Sequence, residues 1–489
     1  MSRSRPGCVL PLCCLAVLSP AGCAVGPDYH RPPAEVPPAW EPPAPAPWRE
    51  AVPSDAALKG DWWKLFHDAD LDGLIERALA NNQNLRVAAA RLSQARDQVT
   101  VARSDFFPAV GLSASASRTK TSANRPLADY SQPNASTVQN DFVVGPTVSY
   151  EIDLFGRVRR EVEGARASAE QAAADFENTR LMLTAQVAGD YFTLRELDAE
   201  IEVLRRSLDL QRAALRFVDS RHELGFATGL DLAQQQALLE ASGAQLELLQ
   251  VARAQNEHAI ATLIGMPAPA FHQAPAVLAP GIPALPVGLP SDLLQRRPDV
   301  AAAERAMAAA NARIGVARAA YFPTLDLMPF VPGIGWESNT LSTLIESPSR
   351  LWSIGVSATE TVFDAGKIRA NVRIAGADYT AAVAAYRQTV LTAMEEVENG
   401  ITGLASLDRA ATQADASVRS AQRAFDIASE RYMGGVDTYL DVITAEQTLL
   451  GNQRQAVQIQ GEQFLTAVYL IKALGGGWRA NSSTASRSD

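Results

Sequence analysis

Three aspartates precede a glycine at alternate positions, Asp68-x-Asp70-x-Asp72-Gly73, as at the start of a calcium loop. Such a loop needs a bidentate acid at its twelfth position, and Leu79 stands there. The triplet therefore reads as carboxylates at a helix start, accepting from free backbone amides. Ser117-x-x-Lys120 has the spacing of a serine nucleophile and its lysine, but sits in a polar strand end without partner motifs. The five histidines (His30, His67, His222, His258, His272) have no metal-ligand spacing, and the four cysteines all fall within the first 23 residues. Walker loops, nucleophile elbows and zinc-protease helices are absent. The expectation is a non-enzyme without metal or cofactor. Two other carboxylates suit ion attraction: Asp231 and Asp441 each follow a turn glycine, in Arg221-xxx-Gly225-xxxx-Leu230-Asp231 and Arg431-xxx-Gly435-xxxx-Leu440-Asp441. Like charges brought together around an axis raise one another's pKa and draw cations. The plainer reading is a helix-start carboxylate favoured by the dipole.

Those two motifs are one motif written twice. Val101-Ala102-Arg103-Ser104-Asp105-Phe106-Phe107-Pro108 also returns, as Val316-Ala317-Arg318-Ala319-Ala320-Tyr321-Phe322-Pro323, and Gly156-Arg157-Val158-Arg159 as Gly366-Lys367-Ile368-Arg369. A tandem duplication this large predicts two pseudo-equivalent units packed side by side, repeat 1 over 61–290 and repeat 2 over 291–476.

The start of the chain reads as a secretory signal over 1–22: Arg3 and Arg5, then an apolar run from Val9 to Leu18, then Ala21-Gly22 before Cys23. That ending resembles a bacterial lipoprotein site, with Cys23 as the acylated residue (N-acyl and S-diacylglycerol, the former a palmitate). Residues 23–60 form a proline-rich extended tether, and 477–489 a flexible tail. The net charge of −10 over 489 residues, with no basic run, excludes nucleic acid as a partner. After the signal no apolar run reaches the length of a membrane-spanning helix.

Periodicity supplies the rest. Alanine-rich helices at 85–104 and 300–319 end at the aromatic-Phe-Pro triplets, and alternation of period two follows. Four strands are expected, at about 108–118, 142–155, 323–333 and 351–363, each apolar on one face and small-polar on the other. That pattern suits a membrane barrel. Long helical runs follow, at about 157–223 and 366–433, and return as helices at about 229–265 and 439–474. At about 1.5 Å per residue each long run spans roughly 100 Å. Alanines at 165, 167, 169, 172 and 173 let neighbouring helices approach closely. Four strands cannot close a barrel, and open edges in lipid are costly. Several chains must share one; three would supply twelve strands, in an α+β membrane protein with a barrel continued by helices.

These features resemble the TolC family of outer-membrane efflux ducts, in its lipoprotein branch (the OprM/NodT-like exit components of tripartite pumps). The matching residues are Cys23-xx-Gly26-Pro27-Asp28-Tyr29-x-Arg31-Pro32, Trp62-Trp63-xx-Phe66 with Leu71 and Leu74, and the two Arg-xxx-Gly turns. The resemblance implies a homotrimer with a 12-stranded β-barrel and a periplasmic α-helical barrel. It implies a periplasmic membrane-fusion adaptor and an inner-membrane RND-type pump as partners, and the Gram-negative outer membrane as location. It implies a periplasmic gate at Leu440 and Asp441, with Leu230 and Asp231 as first-copy equivalents. Thr444 stands where many relatives have a second gate aspartate. Tyr432 matches a tyrosine that locks neighbouring helices, and Asp437 stands where some relatives carry its basic partner. Leu224, Gly225, Phe226, Gly434, Gly435 and Val436 match the tips that meet the adaptor. The alternatives are a non-conducting trimeric coiled-coil lipoprotein, as spacer or adhesin, and a type I protein-secretion duct.

Overall fold

The computed structural model describes residues 24–32, 60–124, 136–278, 281–283 and 297–476, with backbone alone at 328–334, 353 and 354. The signal segment 1–22, Cys23, residues 33–59 and the tail 477–489 lie outside the described residues. After a short 3-10 turn, Trp62–Phe66, come α1 (Ala69–Asn81), α2 (Gln83–Ser104), β1 (Ala109–Lys120), β2 (Val138–Glu151), α3 (Arg157–Glu223) and α4 (Gly229–Leu263). A second pass follows: α5 (Pro298–Ala319), β3 (Thr324–Ser338), β4 (Arg350–Thr359), α6 (Lys367–Met433) and α7 (Tyr439–Ala473). The two passes match in length, with 67 residues in each of α3 and α6 and 35 in each of α4 and α7. No described helix is long and apolar enough to cross a membrane.

The compact units do not follow the two copies. One gathers Met1–Pro32, Ser93–Glu170 and Arg305–Ala384, the other Pro33–Leu92, Gln171–Glu304 and Ala385–Asp489. Each draws on both passes, because the strands of both share one sheet and the helices of both share one core.

The first unit holds a single antiparallel sheet in the order β1-β2-β3-β4. Its register keeps like with like. Val110 faces Val148, Leu112 faces Pro146 and Ala116 faces Phe142, while Gly111 meets Thr147 and Ser117 meets Asp141. The apolar side continues through Tyr150↔Leu327, Leu325↔Ala358 and Leu327↔Val356, and the polar side through Asp326↔Ser357. Val110, Leu112 and Val356 stay largely exposed, so among the described residues nothing covers this part of the apolar face.

The strand ends differ from the alternation. β2 starts at Val138, ahead of the expected 142, because its ladder with β1 runs on to Lys120↔Val138. It stops at Glu151, whose carboxylate is held by Arg157 at 2.8 and 2.6 Å. β3 runs past 333 to Ser338: Pro329 stays in register with Ile354, and Pro332 falls within a register shift between Phe330 and Gly335. β4 stops at Thr359, short of 363; the chain then turns to Asp364, which caps α6 by accepting from the Gly366 and Ile368 amides.

Residues 24–32, the described part of the expected extended segment, are docked against the body. Val25 N–H donates to Phe155 O at 3.0 Å. The buried Arg160 donates to Asp28 Oδ1 at 2.8 Å, and Asn311 Nδ2 donates to Pro27 O at 2.9 Å. Gly26 is required twice over: its φ is +113°, and a Cβ there would lie 2.6 Å from the Cα of Gly315.

The second unit is organised by an aromatic and arginine core. Trp62 and Trp63 are buried, Trp62 Nε1 donates to Thr184 Oγ1 at 3.2 Å, and Phe192 stacks on Phe464 with centroids 4.7 Å apart. The aspartate triplet is used here. Asp68 caps α1, accepting from the Asp70 and Leu71 amides, and takes a 2.6 Å hydrogen bond from Tyr191 Oη. Asp70 accepts from Arg195 at 3.1 Å. Arg195, 2% exposed, also reaches Asp198 and the Ala274 carbonyl, at 3.1 and 2.7 Å. A buried guanidinium is tolerated only when its donors are met.

Arg195→Met should lower unfolding stability by about 3 kcal/mol, because it leaves Asp198 buried with one cation fewer. Arg206→Ala, at an exposed helical pair, should change it little. Chemical unfolding followed by tryptophan fluorescence checks both; equal midpoints for the two variants would remove Arg195 from its structural role.

Candidate functional site

The two reversing turns share one backbone solution. After α3, Gly225 takes φ +77°, its amide bonds His222 O at 2.9 Å, and Phe226 N–H reaches back to Arg221 O at 2.7 Å. After α6, Gly435 takes φ +72°, with matching bonds to Tyr432 O and from Val436 N–H to Arg431 O, both 3.0 Å. This left-handed close satisfies the last helical carbonyls and calls for glycine, which is why the Arg-xxx-Gly spacing was readable. Leu224, Phe226 and Val436 are 71%, 72% and 68% exposed. Together with Gly225, Gly434 and Gly435 they form two bare apolar tips.

Leu230 and Leu440 lie exposed in the first turns of α4 and α7. Asp231 is bound into a capping box: its Oδ2 accepts from Thr228 N and Oγ1 at 2.8 and 2.9 Å, and its own amide donates to Thr228 Oγ1 at 3.2 Å. Asp441 accepts the Thr438 hydroxyl at 2.8 Å, and Thr438 makes no side-chain cap to the helix. Both carboxylates thus serve as helix-start groups, and Asp441 is the less committed. Thr444 folds its hydroxyl back to Leu440 O at 2.8 Å.

Tyr432 is buried within its own chain. Its ring lies 4.9 Å from that of Tyr439 and 4.8 Å from the Arg221 guanidinium, and its hydroxyl has no hydrogen-bond partner. Burial raises the Tyr432 phenol, with Arg221 opposing. Asp437 pairs with Arg431 inside the second turn, which lowers the Asp437 carboxyl and raises the guanidinium.

Sequence reasoning missed a buried polar ladder behind these residues. Tyr439 Oη donates to Gln235 Oε1 at 2.8 Å, Gln235 Nε2 to Gln211 O at 3.1 Å, and Gln211 Nε2 to Ser207 Oγ at 3.1 Å. It ties α3, α4 and α7 together. The available signal was Gln211 and Gln235, polar residues at positions the helical stripe reserves for apolar ones. Burial pushes the Tyr439 hydroxyl up, and the Glu446 charge adds to the rise.

A four-stranded sheet with an open apolar face, joined to two 67-residue helices that reverse through glycine-closed turns, is the architecture of an outer-membrane channel. The outer membrane efflux protein family model matches residues 74–266 and 289–476. The pyoverdine export outer membrane protein OpmQ of Pseudomonas putida is 34% identical over 444 residues, 90% of this chain and 93% of the relative. The toluene efflux pump outer membrane protein TtgC of Pseudomonas putida is 33% identical over 472 residues, 95% of each. Among solved structures, the outer-membrane channel OprN superposes with a TM-score of 0.85 at 32% identity, covering 93% of this chain and 100% of that one. CmeC of Campylobacter jejuni also gives 0.85, at 27% identity and 94% and 96% coverage. The chain belongs to the outer membrane efflux protein family, the TolC-type channels. That is a family of channels and not of enzymes.

Tyr439→Phe should cost about 1–2 kcal/mol, because it leaves Gln235 Oε1 buried without its donor. Hydrogen exchange across the first turns of α4 and α7 should speed up while the Trp62 region stays protected. Unchanged exchange at both turns would show that the ladder does not hold the tip.

Proposed function

We propose that the chain is the exit duct of a tripartite efflux system, passively passing small organic substrates delivered by an inner-membrane RND-type pump through a periplasmic adaptor. Three copies close a 12-stranded barrel in the outer membrane, with the helices forming a tube in the periplasm. The observation that carries this reading is the sheet. Among the described residues, β1 pairs only with β2 and β4 only with β3, beneath an uncovered apolar face. Edges of that kind are tolerable in lipid only when other copies pair them. The relatives named for pyoverdine and toluene favour small-molecule efflux over protein secretion. The bare tips Leu224–Phe226 and Gly434–Val436 are the proposed adaptor contacts. The docked residues 24–32 support a lipid anchor at Cys23: Ala24 packs against Gly156 at the β2–α3 junction, 2.7 Å from where a Cβ would stand. An acyl chain starting one residue earlier would emerge beside the sheet.

The gate is assigned to Leu440 and Asp441. A leucine ring closes by packing and dewetting, and a carboxylate ring selects ions. In planar bilayers Leu440→Ser should raise resting conductance severalfold. Asp441→Asn should reduce cation preference and block by multivalent cations, with little effect on assembly, and Asp231→Asn should do less because its carboxylate is spent on the cap. Unchanged conductance and selectivity in both second-copy variants would place the gate elsewhere.

Cys23→Ala should abolish acyl labelling yet leave a membrane-embedded trimer. A soluble monomer from this variant would sink the barrel reading.

A further inference from the structure

Behind the tip, α3, α6 and α7 enclose a cavity of about 170 Å³. Its walls are aromatic, with Phe217 from α3, Phe425 and Tyr432 from α6 and Tyr439 from α7, and the Met433 thioether completes them. Ser429, the hydroxyls of Tyr432 and Tyr439 and the Glu446 carboxylate interrupt this lining; Glu446 is 6% exposed and Tyr432 8%. The Tyr432 hydroxyl is unpartnered. Glu446 forms no ion pair among the described residues, and the Gln211 amide on α3 is the group that faces it.

The surrounding charges do not repair this. Arg221 of α3 lies over the outer faces of Tyr432 and Phe217 and acts on Tyr432. Asp231 of α4 is spent on its capping box and adds negative potential at Tyr432 and Tyr439. Tyr439, on the same helix as Glu446, feels its charge. A buried carboxylate without a cation must either take a proton or find a positive partner. Electron-rich ring faces around a carboxylate are also the setting that attracts organic cations.

We propose that this cavity binds a lipophilic organic cation, its charged head against Glu446 and its aromatic or branched alkyl body among the rings of Phe217, Phe425, Tyr432 and Tyr439. The site is complete within one chain, so it goes beyond the duct reading and does not depend on it. An occupant spans α3, α6 and α7 and so ties the α6–α7 turn to α3.

Burial holds Glu446 at about 7. The cation takes the ionised form, so apparent affinity scales with the ionised fraction. That fraction rises from about 0.1 at pH 6 to about 0.9 at pH 8, a roughly tenfold gain in affinity. Binding below neutrality releases a proton. Glu196 is also held at about 7, by burial and by Glu200 and Glu462, but lies outside this cavity. A variant is therefore needed beside the pH series.

The probe is benzyltrimethylammonium, titrated calorimetrically into the purified full-length protein at pH 6 and pH 8, with benzyl alcohol as the neutral comparator. The wild type should bind the cation about tenfold more tightly at pH 8, and benzyl alcohol should show no such change. Glu446→Gln should lose the pH dependence and at least tenfold in affinity while eluting as the wild type does. Phe425→Leu keeps the packing and removes a π face, so it should weaken the cation severalfold and spare benzyl alcohol. If Glu446→Gln fails to assemble, the pH series and Phe425→Leu decide. The proposal is overturned by pH-independent binding to the wild type, by wild-type affinity in either variant, or by the absence of saturable binding at millimolar probe.

Discussion

Backbone amides without partners are the constraint on which this architecture turns. Among the described residues the sheet presents two such rows, along β1 and β4, and an apolar face left largely uncovered. In hydrocarbon each unmet group costs several kcal/mol. In water an exposed apolar edge invites aggregation. The proposed sharing of one barrel between copies removes both costs together, and it explains why each chain devotes its other unit to helices. An edge that must meet its counterpart in another copy needs those copies held in register. Within one chain alanine already serves close helix approach, Ala167 packing beside Ala308 and Ala309.

The second unit meets the opposite problem, too many buried polar groups instead of too few partners at an edge. Arg195 has its donors shared among Asp70, Asp198 and the Ala274 carbonyl, and Arg297 pairs with Asp299, Glu396 and the Ala473 carbonyl. Each guanidinium ties a helix end or a connecting segment to a long helix, where apolar packing alone would allow axial sliding. Near the turns this economy is left incomplete. The ladder through Gln211, Gln235 and Tyr439 is satisfied at each link, but Tyr432 Oη, Gln211 Oε1 and Arg221 Nε are buried without partners. Unmet groups also remain in the core itself, at Arg195 Nε and Trp63 Nε1, so incomplete bonding is not confined to the turns.

Much of this was legible in the chain, for physical reasons that also mark where legibility stopped. The helix reversals could be read because only glycine closes a helix in the left-handed region without strain, as Gly225 and Gly435 do. The faces of the strands could be read because side chains alternate, and the register keeps Val110 opposite Val148. The ends of β2 and β3 could not, because ladder length depends on the partner strand and a register shift takes up Pro332. The break between α1 and α2 was missed since it rests on Asn82, which caps Leu85 and reaches the Leu263 carbonyl 181 residues away. Docking of 24–32 was missed for the same reason: proline richness describes how a segment behaves alone, not that Arg160 and Asn311 wait for it. Periodicity names the buried face, but not what it will be buried against.

Charge at the tip follows from how two equivalent turns are filled. The first sets Glu223 and Asp231 around Arg221, and Asp231 is consumed by its cap. The second likewise has Asp437 and Asp441 around a single Arg431, so the two turns differ not in charge count but in which carboxylate is engaged. Arg431 is bound to Asp437 and reaches Asp441 only through its field. Asp437, which stands where some relatives carry a basic residue, therefore takes up the nearby cation and leaves Asp441, the proposed gate carboxylate, without a salt bridge. Thr444, one turn beyond Leu440, contributes no charge and turns its hydroxyl inward. In the proposed trimer a ring of such carboxylates needs no second acidic layer to be negative, because Arg431 is already engaged by Asp437.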